Sequence, residues 1–234
     1  GRSLISNHFH RFLGLLILSV LVWGFIFELF NEFIQNWVYI RLEYGSEAAK
    51  RIFGLLSFST VIPAVFETYD LIRTFHLFDH DELKKKHKIT KRFLHIMMWT
   101  GIAFLIAPIA FPNLAFPLVW ASLFFLLDPI NYLHKQPSII SHLKDKKLKI
   151  PLSLCLAGLI TGFFWEFWNY WAIPKWQYAV PYVGFFKVFE MPLLGYLGYL
   201  PFAWELYAVY YFVRNLFLRE EKVIMKVLAK KDFS

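Results

Sequence analysis

The sequence contains a single cysteine, Cys155, and few charged residues for its length. One cysteine excludes an intrachain disulfide framework and a metal site built from cysteines alone. Charged residues make up only 18% of the 234 residues, whereas 58% are hydrophobic. A soluble domain of this size could not bury so much apolar surface. We therefore expect the lipid bilayer to be the solvent of most of the chain.

Motifs of the common cofactor and nucleotide sites are also missing from the sequence. No G-x-G-x-x-G follows a strand pattern, and no P-loop, serine elbow or zinc motif is present. The lack of an aspartate-rich motif for diphosphate and Mg²⁺ argues against a prenyltransferase. We therefore predict no cofactor and no metal, and expect any chemistry to be acid–base chemistry by side chains or to depend on a bound partner.

One pair of histidines has a spacing that can bind a metal. His76 and His80 lie four residues apart, with Asp79 and Asp81 beside them, and histidines so spaced on a helix can share a metal ion. A di-iron oxygenase needs several such pairs, and the other histidines complete none. Haem ligation needs paired histidines within spans, and only His95 lies clearly inside one. We interpret the cluster as a solvated loop.

Long apolar runs predict an all-α, polytopic integral membrane protein. A span needs ~20 mainly apolar residues. About six transmembrane helices follow from this rule, in the stretches 12–31, 53–75, 93–111, 114–132, 151–171 and 190–213. No small-residue cleavage site follows the first run, so we interpret it as a retained span. We expect one membrane domain, 1–234, with the third and fourth spans as a helical hairpin.

The basic residues indicate the orientation in the membrane. The net charge is +8, but the charges lie in short runs between apolar segments, so we predict no nucleic-acid partner. Twenty of the 25 Lys and Arg residues fall on one side of the predicted spans, which makes both termini cytoplasmic. The basic runs could also attract anionic lipid headgroups. We expect the protein in a cell membrane, the bacterial inner membrane. The other side carries Arg41, Lys50, Arg51, Lys175 and Lys187.

The two ends of the chain share a residue pattern that indicates an internal duplication. Residues 24–31 read GFIFELFN and residues 162–169 read GFFWEFWN, so glycine, phenylalanine, glutamate and asparagine match at a shift of 138. Residues 63–69 (PAVFETY) and 201–207 (PFAWELY) match in proline, glutamate and tyrosine at the same shift. A W-x-Y sequence follows the first block in both ends. Polar residues inside apolar segments are thus the repeated feature.

The orientation predicts how the copies are related. The first and fifth spans both run outward, and the second and sixth both run inward. The copies are therefore expected to be parallel repeats about a pseudo-two-fold axis along the membrane normal. We place copy one at about 12–75, an intervening hairpin at about 93–132 and copy two at about 151–213.

The repeated acids and amides are candidate site residues. Glu28 and Asn31 lie three residues apart and share a helix face, as do Glu166 and Asn169. Such pairs can form a ligand site, and they can equally be interhelical hydrogen bonds that hold two repeats together. Both interpretations stay open at this point.

Two further acids lie deeper in their spans, each four residues after a proline. A carboxylate in hydrocarbon costs about 2.5–3.5 kcal/mol on insertion scales, so intramembrane acids are functional-site candidates by default. We predict Glu67, Glu205 and Glu166 as catalytic acids. The predicted substrate-binding residues are Glu28, Asn31, Asn169, Trp165, Trp176, Tyr178, Tyr207 and Trp204. The W-x-Y aromatics could also be an interfacial aromatic belt or a lid over a cavity between the repeats.

The order of these motifs resembles a known family. Trp165-Glu166 with Asn169, then Trp176-Gln177-Tyr178, then Pro201 with Glu205 are similar to the motifs of the small, flavin-free membrane lycopene cyclases of carotenoid biosynthesis. That family occurs as two homologous modules, fused or as a heterodimer. The chain departs from the family in two features. The family has an adjacent acid pair two residues after a proline, whereas here one acid stands four residues after it. The family's modules usually have three spans each, whereas copy one here starts directly with its motif span. The similarity covers both ends but not residues 93–150.

The resemblance implies a membrane protein that binds or modifies a long apolar isoprenoid, carotenoid-like or quinone-like. Cofactor-free, acid-catalysed cyclisation by an isomerase of the lycopene cyclase type is the activity expected from it. The chain also resembles bacterial membrane proteins with WEFWNYW and FEMPLLG segments. A second hypothesis is that the protein is a non-catalytic accessory subunit of a larger membrane protein complex. A third is that it is a transporter that relays protons through paired acids. Expected partners are membrane lipids or the isoprenoid, or the proteins of such a complex.

Overall fold

The computed structural model describes residues 3–43, 45–86 and 88–231, with residues 218–231 described by their backbone alone. The chain is mostly helical, which confirms the predicted class of a helical membrane protein. Among the described residues, five helical segments are long and apolar enough to cross a bilayer. These segments are Phe9–Ile34, Glu47–Thr74, Lys91–Ala110, Pro112–Leu133 and Lys149–Trp171.

The first part of the chain forms two of these membrane-length segments. Its elements are α1 (Leu4–Asn7), α2 (Phe9–Leu21), a π-helical turn (Val22–Phe27), α3 (Glu28–Ile34), strand β1 (Trp37–Ile40), α4 (Glu47–Ser59) and α5 (Val61–Thr74). The Ser46 hydroxyl accepts a hydrogen bond from the Ala49 amide and thereby caps the start of α4. The break between α4 and α5 lies at Thr60, just before Pro63, whose ring disfavours a continuous helix through this point.

The middle of the chain is the predicted helical hairpin. It consists of α6 (Lys91–Ala110), α7 (Pro112–Ala115), a 3₁₀ turn (Phe116–Leu118) and α8 (Val119–Leu133), and the short helix α9 (Ile139–Lys144) follows it. Pro112 opens α7, a position where its missing N–H leaves no intrahelical hydrogen bond unmade. The two long helices pack closely because Gly101 lies directly against the backbone of Leu126.

The last part contains α10 (Lys149–Trp171), strands β2 (Lys175–Tyr178), β3 (Lys187–Val188) and β4 (Met191–Pro192), a 3₁₀ helix (Leu193–Gly198) and α11 (Tyr199–Lys231). The sixth span was predicted to begin at 190, which is wrong, because the α-helix begins only at Tyr199. Pro192 has an extended backbone, and the glycine-containing turn after it is 3₁₀-helical. In this part Pro201 is the third residue of α11, as Pro63 is of α5.

Strands from the two ends of the chain pair with each other. β1 and β2 are antiparallel, with Trp37 opposite Tyr178, Val38 opposite Gln177 and Tyr39 opposite Trp176. If each tryptophan and tyrosine is exchanged for its counterpart in the other W-x-Y sequence, this register maps onto itself. The pairing of the two strands is therefore two-fold symmetric, with the axis between Val38 and Gln177.

The core lies where α10 packs on α5 and α11, and α11 on α8. Its fully buried side chains include Ile62, Val65, Leu154 and Leu206. Gly158 lies against the carbonyl oxygen of Tyr199, so α10 and α11 approach more closely than a side chain at this position would permit. This packing sets the rotation of α10 and with it the direction of Glu166.

Candidate functional site

A cavity of about 1240 Å³ lies between the motif-bearing segments, beside the paired strands β1 and β2. Pockets for drug-sized ligands are commonly about 300–1,000 Å³, so this cavity can hold a larger molecule. Side chains from α4, α10, the π-helical turn, both strands and the helical hairpin line it. Its tryptophans are Trp23, Trp37, Trp120, Trp165, Trp168 and Trp176.

An aromatic cluster contributes Trp23, Trp120 and Phe202 to one wall of the cavity, and Phe27 packs on it without lining the cavity. Phe27 stacks on Trp120 with ring centroids 5.2 Å apart and an interplanar angle of 13°. Trp23 lies 5.9 Å from Trp120 and 5.7 Å from Phe202, the latter in an edge-to-face arrangement. Aromatic faces bind apolar chains and also stabilise positive charge. The wall can therefore accommodate a long hydrocarbon ligand and a cation that develops on it.

A carboxyl–tyrosine network opens onto the cavity from the first copy of the motif. The Tyr39 hydroxyl donates a hydrogen bond to the Glu28 carboxyl at 2.6 Å. The Trp37 indole N–H lies 3.2 Å from both the Glu28 carboxyl and the Tyr39 hydroxyl oxygen. Glu28 is half-buried and lines the cavity itself. Its carboxyl is thus held by two aromatic donors while it faces the space where a ligand would lie.

The second copy has a similar network that includes a second tyrosine. The Tyr178 hydroxyl donates to the Glu166 carboxyl at 2.7 Å, and the Trp176 indole N–H donates to Tyr178 at 3.0 Å. Tyr199 also donates to the same Glu166 oxygen, at 2.9 Å. Val61 stands at the position that corresponds to Tyr199 in the first copy, so only Glu166 has this second tyrosine.

The two carboxyls therefore differ in access. Glu166 is fully buried and does not belong to the cavity lining, whereas Tyr178 and Tyr199 in front of it do. Its other oxygen, Oε2, has no hydrogen-bond partner among the described residues. Glu28 belongs to the cavity lining itself, while Glu166 accepts hydrogen bonds from two tyrosines that belong to it.

The phenols of the two strand tyrosines stay protonated. Burial, followed by the charge of Glu28, raises the pKa of Tyr39. Burial, followed by the charge of Glu166, raises the pKa of Tyr178 well above its ordinary value. Both phenols consequently act as hydrogen-bond donors to the carboxyls.

The asparagine of each motif connects the helix to the strand that follows it. Asn169 accepts from the Trp176 amide at 2.8 Å and donates to the Trp176 carbonyl at 2.9 Å. Asn31 makes the same two bonds with Trp37, at 3.2 and 2.8 Å. Each asparagine thus forms hydrogen bonds with the backbone N–H and C=O of the tryptophan in the strand that follows. These bonds fix the position of the W-x-Y aromatic residues relative to the helix.

The two deeper glutamates also accept equivalent hydrogen bonds. Glu205 is fully buried and accepts from the Leu123 amide at 2.6 Å and the Ser122 hydroxyl at 3.3 Å. Glu67 is half-buried and accepts from the Leu4 amide at 2.6 Å and from the hydroxyl of the preceding serine, residue 3, at 3.4 Å. Neither glutamate is part of the cavity lining.

The remaining predicted site residues divide in the same way. Trp165 lines the cavity beside Asn169, Trp176 and Tyr178. Trp204 instead donates to the Pro151 carbonyl at 2.9 Å. Tyr207 forms a hydrogen bond with His142, whose ring nitrogen lies 3.0 Å from the phenol, and like Trp204 it lies outside the cavity lining.

Several cavity residues were missed from the sequence. Trp23 and Phe202 line the cavity and lie directly beside repeated residues of the motifs. This position in the sequence could have identified them as site residues. Tyr199, Lys50 and Arg51 carry no repeated pattern, because the first copy has no tyrosine at the position of Tyr199 and the second has no basic pair at the position of Lys50 and Arg51.

The loop with the paired histidines forms a structural contact. The His76 ring lies 2.7 Å from the Asp79 carboxylate, and Lys149 at the start of α10 lies 2.6 Å from it. These two neighbours lower the pKa of Asp79, with the Lys149 hydrogen bond as the larger cause. Within the part of the chain that the structure describes, no group of three or more His, Cys, Asp or Glu side chains could hold a metal ion.

No protein-family model, curated protein or solved structure matches the chain.

Proposed function

We propose that the protein binds a long, mainly apolar isoprenoid in the cavity between two duplicated halves of a membrane bundle. The observation that carries this proposal is the aromatic cavity of about 1240 Å³ with a carboxyl–tyrosine network at each side. Hydrocarbon packs against the tryptophan faces, and the tyrosines offer polar contacts only at the cavity wall. The protein lies in a cell membrane with both termini on the cytoplasmic side.

One set of contacts supports the duplication. Each copy repeats the carboxyl–tyrosine–tryptophan bonds and the asparagine clamp. Repeats of common ancestry retain such bonds at corresponding positions, and parallel repeats produce the two-fold register of β1 and β2.

The proposed chemistry is acid-catalysed cyclisation of a polyene. A carboxyl transfers its proton to a terminal C=C bond, and a neighbouring double bond attacks the resulting cation to form a ring C–C bond. A carbon next to the new cation then loses a proton, so the product is an isomer of the substrate. Tryptophan faces stabilise the cation. Glu28 is the acid that this cavity supports best, since it is the single acidic residue in the described lining.

The acids predicted from the sequence remain alternatives for this role. Glu166 is outside the lining and accepts from Tyr178 and Tyr199, so it would act on a ligand through these tyrosines. Glu67 and Glu205 would need a ligand path other than this cavity. Single Glu→Gln variants separate these possibilities, because the amide keeps the shape and one acceptor oxygen but cannot supply the proton.

The test uses membranes that contain a linear polyene and each of the four Glu→Gln variants. Products are separated by chromatography and identified as isomers by unchanged mass, and ligand binding is followed by quenching of the cavity tryptophans. We expect Glu28→Gln to abolish isomer formation while binding persists. Loss of product only in Glu205→Gln or Glu67→Gln would move the acid to the deeper pair.

Absence of both binding and product in the native protein would refute the isoprenoid proposal. A stoichiometric membrane protein that co-purifies in mild detergent, with Glu→Gln variants that only weaken this association, would favour the accessory-subunit alternative. The two outcomes are distinguishable because the first concerns a small molecule and the second a protein of defined mass.

A further inference from the structure

Three basic side chains line the cavity together with the tryptophans. They are Lys50, Arg51 and Lys175, and Glu28 is the single carboxylate in the described lining. All three belong to the five basic residues on the side of the membrane that is predicted to be outside. A cavity that served only a hydrocarbon would gain nothing from cations, because each of them must be solvated or paired.

Lys50 and Arg51 are adjacent in the first turns of α4. Lys50 forms an ion pair with Glu47 at 2.7 Å, but the Glu47 side chain is 78% exposed. Such solvated pairs contribute little to stability, so Lys50 can exchange this partner at little cost. Arg51 has no carboxylate within ion-pair distance among the described residues.

Lys175, at the start of β2, also lines the cavity. Its ammonium group forms an ion pair with Glu190 and lies 5.1 Å from the centre of the Tyr170 ring. Lys175 is thus already neutralised and held in place. The charge available to a ligand comes from Lys50 and Arg51, and Arg51 offers a planar pair of N–H donors that suits phosphate oxygens.

The cavity also has an apolar edge that lipid can reach. Phe53 and Leu55, on the same helix as Arg51, are 48% and 40% exposed although they line the cavity. Leu114 and Leu194 line it as well and are 74% and 50% exposed. A hydrocarbon tail can therefore enter from the bilayer, while a headgroup stays at the membrane surface with the cations.

We infer that the ligand is an isoprenoid with an anionic phosphate or diphosphate headgroup, which Arg51 and Lys50 bind while the tail lies among the tryptophans. This inference rests on the proposed isoprenoid-binding function and narrows its ligand class. Phosphate oxygens and a guanidinium form charge-assisted hydrogen bonds that are about twice as strong as neutral ones. An alcohol of the same tail forms none of these bonds.

Three probes test the headgroup on purified protein in a non-ionic detergent at low ionic strength. Geranylgeranyl phosphate and geranylgeraniol share one tail, and inorganic phosphate supplies the headgroup alone. Binding is measured by tryptophan quenching and by competition. We expect the prenyl phosphate to bind about tenfold more tightly than the alcohol, which corresponds to one charge-assisted hydrogen bond. Inorganic phosphate should not compete at similar concentrations.

Paired variants show whether the basic pair is responsible. The variant Lys50→Gln/Arg51→Gln should reduce the preference for the phosphate to about twofold or less, because both cationic partners are lost. Lys50→Arg/Arg51→Lys keeps both charges and should retain most of it, which excludes loss of folding as the cause. The control Arg41→Gln/Lys187→Gln removes two charges from the same side without touching the cavity and should leave the preference unchanged.

The outcomes distinguish the headgroup inference from the isoprenoid-binding proposal on which it rests. Equal binding of phosphate and alcohol by the native protein would overturn the headgroup inference and leave the isoprenoid proposal intact. An unchanged preference in Lys50→Gln/Arg51→Gln would also overturn it. Competition by inorganic phosphate at similar concentrations would indicate a free-anion site instead, and no binding of either prenyl probe would refute the underlying proposal.

Discussion

The close approach of α10 and α11 makes Gly162→Ala the sharpest test of the site's geometry. A methyl group at position 162 would collide with the ring of Tyr199, with three ring carbons closer than any real contact permits. The ring belongs to a buried helix, so either the helices separate or the ring turns away. Overpacking of this kind costs about 1–3 kcal/mol.

The same substitution removes a hydrogen bond from the second network. If the Tyr199 ring turns, its hydroxyl leaves Glu166, to which it donates at 2.9 Å. Hydrogen bonds to charged groups contribute about 1.5–3 kcal/mol. The summed effect on the free energy of unfolding is expected to be about 3 kcal/mol, within the range of these two contributions. For a chain of this length that corresponds to a fall in Tm of about 6–12 °C.

Gly24→Ala is the matched control, because Gly24 stands at the corresponding position of the first copy. There a methyl group would meet Phe58 at 3.4 Å and Leu55 at 3.5 Å, which is ordinary van der Waals contact. We expect this variant to be neutral or slightly stabilising, since alanine has the higher helix propensity. The pair thus compares one substitution in two copies of the same motif.

The assay is thermal unfolding of the purified variants in detergent, followed by tryptophan fluorescence. A third variant, Tyr199→Phe, removes only the hydroxyl, and a double-mutant cycle with Gly162→Ala separates the lost hydrogen bond from the steric clash. Equal Tm values for Gly24→Ala and Gly162→Ala would refute the reasoning. So would a fully additive cycle, because it would show that the clash does not move the Tyr199 hydroxyl.

Substitutions at three further positions test contacts around the site. Asn169→Ala should lower the free energy of unfolding by about 2–4 kcal/mol, because one N–H and one C=O of β2 lose their partner. Asp128→Ala should lower the free energy of unfolding by about 3 kcal/mol, because the fully buried carboxyl accepts from the amides of Ile139 and Ile140 at 2.8 and 2.9 Å. Asp128→Asn should lower it by less. Burial lowers the pKa of His142, so the unfolded chain binds this proton more readily. Stability should therefore fall as the pH decreases from about 7.5 to 5.5, and His142→Gln should remove that part of the dependence.

Thermal unfolding measures all three, and each has an outcome that contradicts it. An unchanged Tm in Asn169→Ala would show that the strand does not depend on the clamp. Asp128→Asn as damaging as Asp128→Ala would mean that the retained acceptor does not cap α9. For the histidine the control is His134→Gln, an exposed side chain. The same pH slope in the native protein and in His142→Gln would exclude His142 as its cause.

The hydrophobic spans could be predicted because bilayer thickness imposes a local requirement on the sequence. The predicted bounds agree within three residues for Phe9–Ile34, Lys91–Ala110, Pro112–Leu133 and Lys149–Trp171, whereas Glu47–Thr74 begins six residues earlier than predicted. The start of α11 was missed, since hydropathy does not distinguish an apolar 3₁₀ helix from an α-helix. Pro192 and the glycines after it were the available signal.

The carboxyl networks could be predicted only in part. Glu28 and Asn31 share a helix face, and this was visible from their spacing. Trp37 and Tyr39 both contact the Glu28 carboxyl, because side chains two residues apart in a strand point to the same face. The W-x-Y sequence has this two-residue spacing. A strand was not expected there, because two-residue alternation is too short to distinguish it from an aromatic belt. Tyr199 has no repeated counterpart and so could not be found by comparing the copies.

By itself the sequence determined the solvent, the approximate spans and which polar residues recur, since these depend on composition and on spacing along one element. Only the tertiary structure decided that Glu28 lines a cavity while Glu166 and Glu205 are covered. The direction of a side chain depends on how its helix is rotated against its neighbours. Close contacts such as that of Gly158 with Tyr199 set that rotation, and they join residues far apart in the chain.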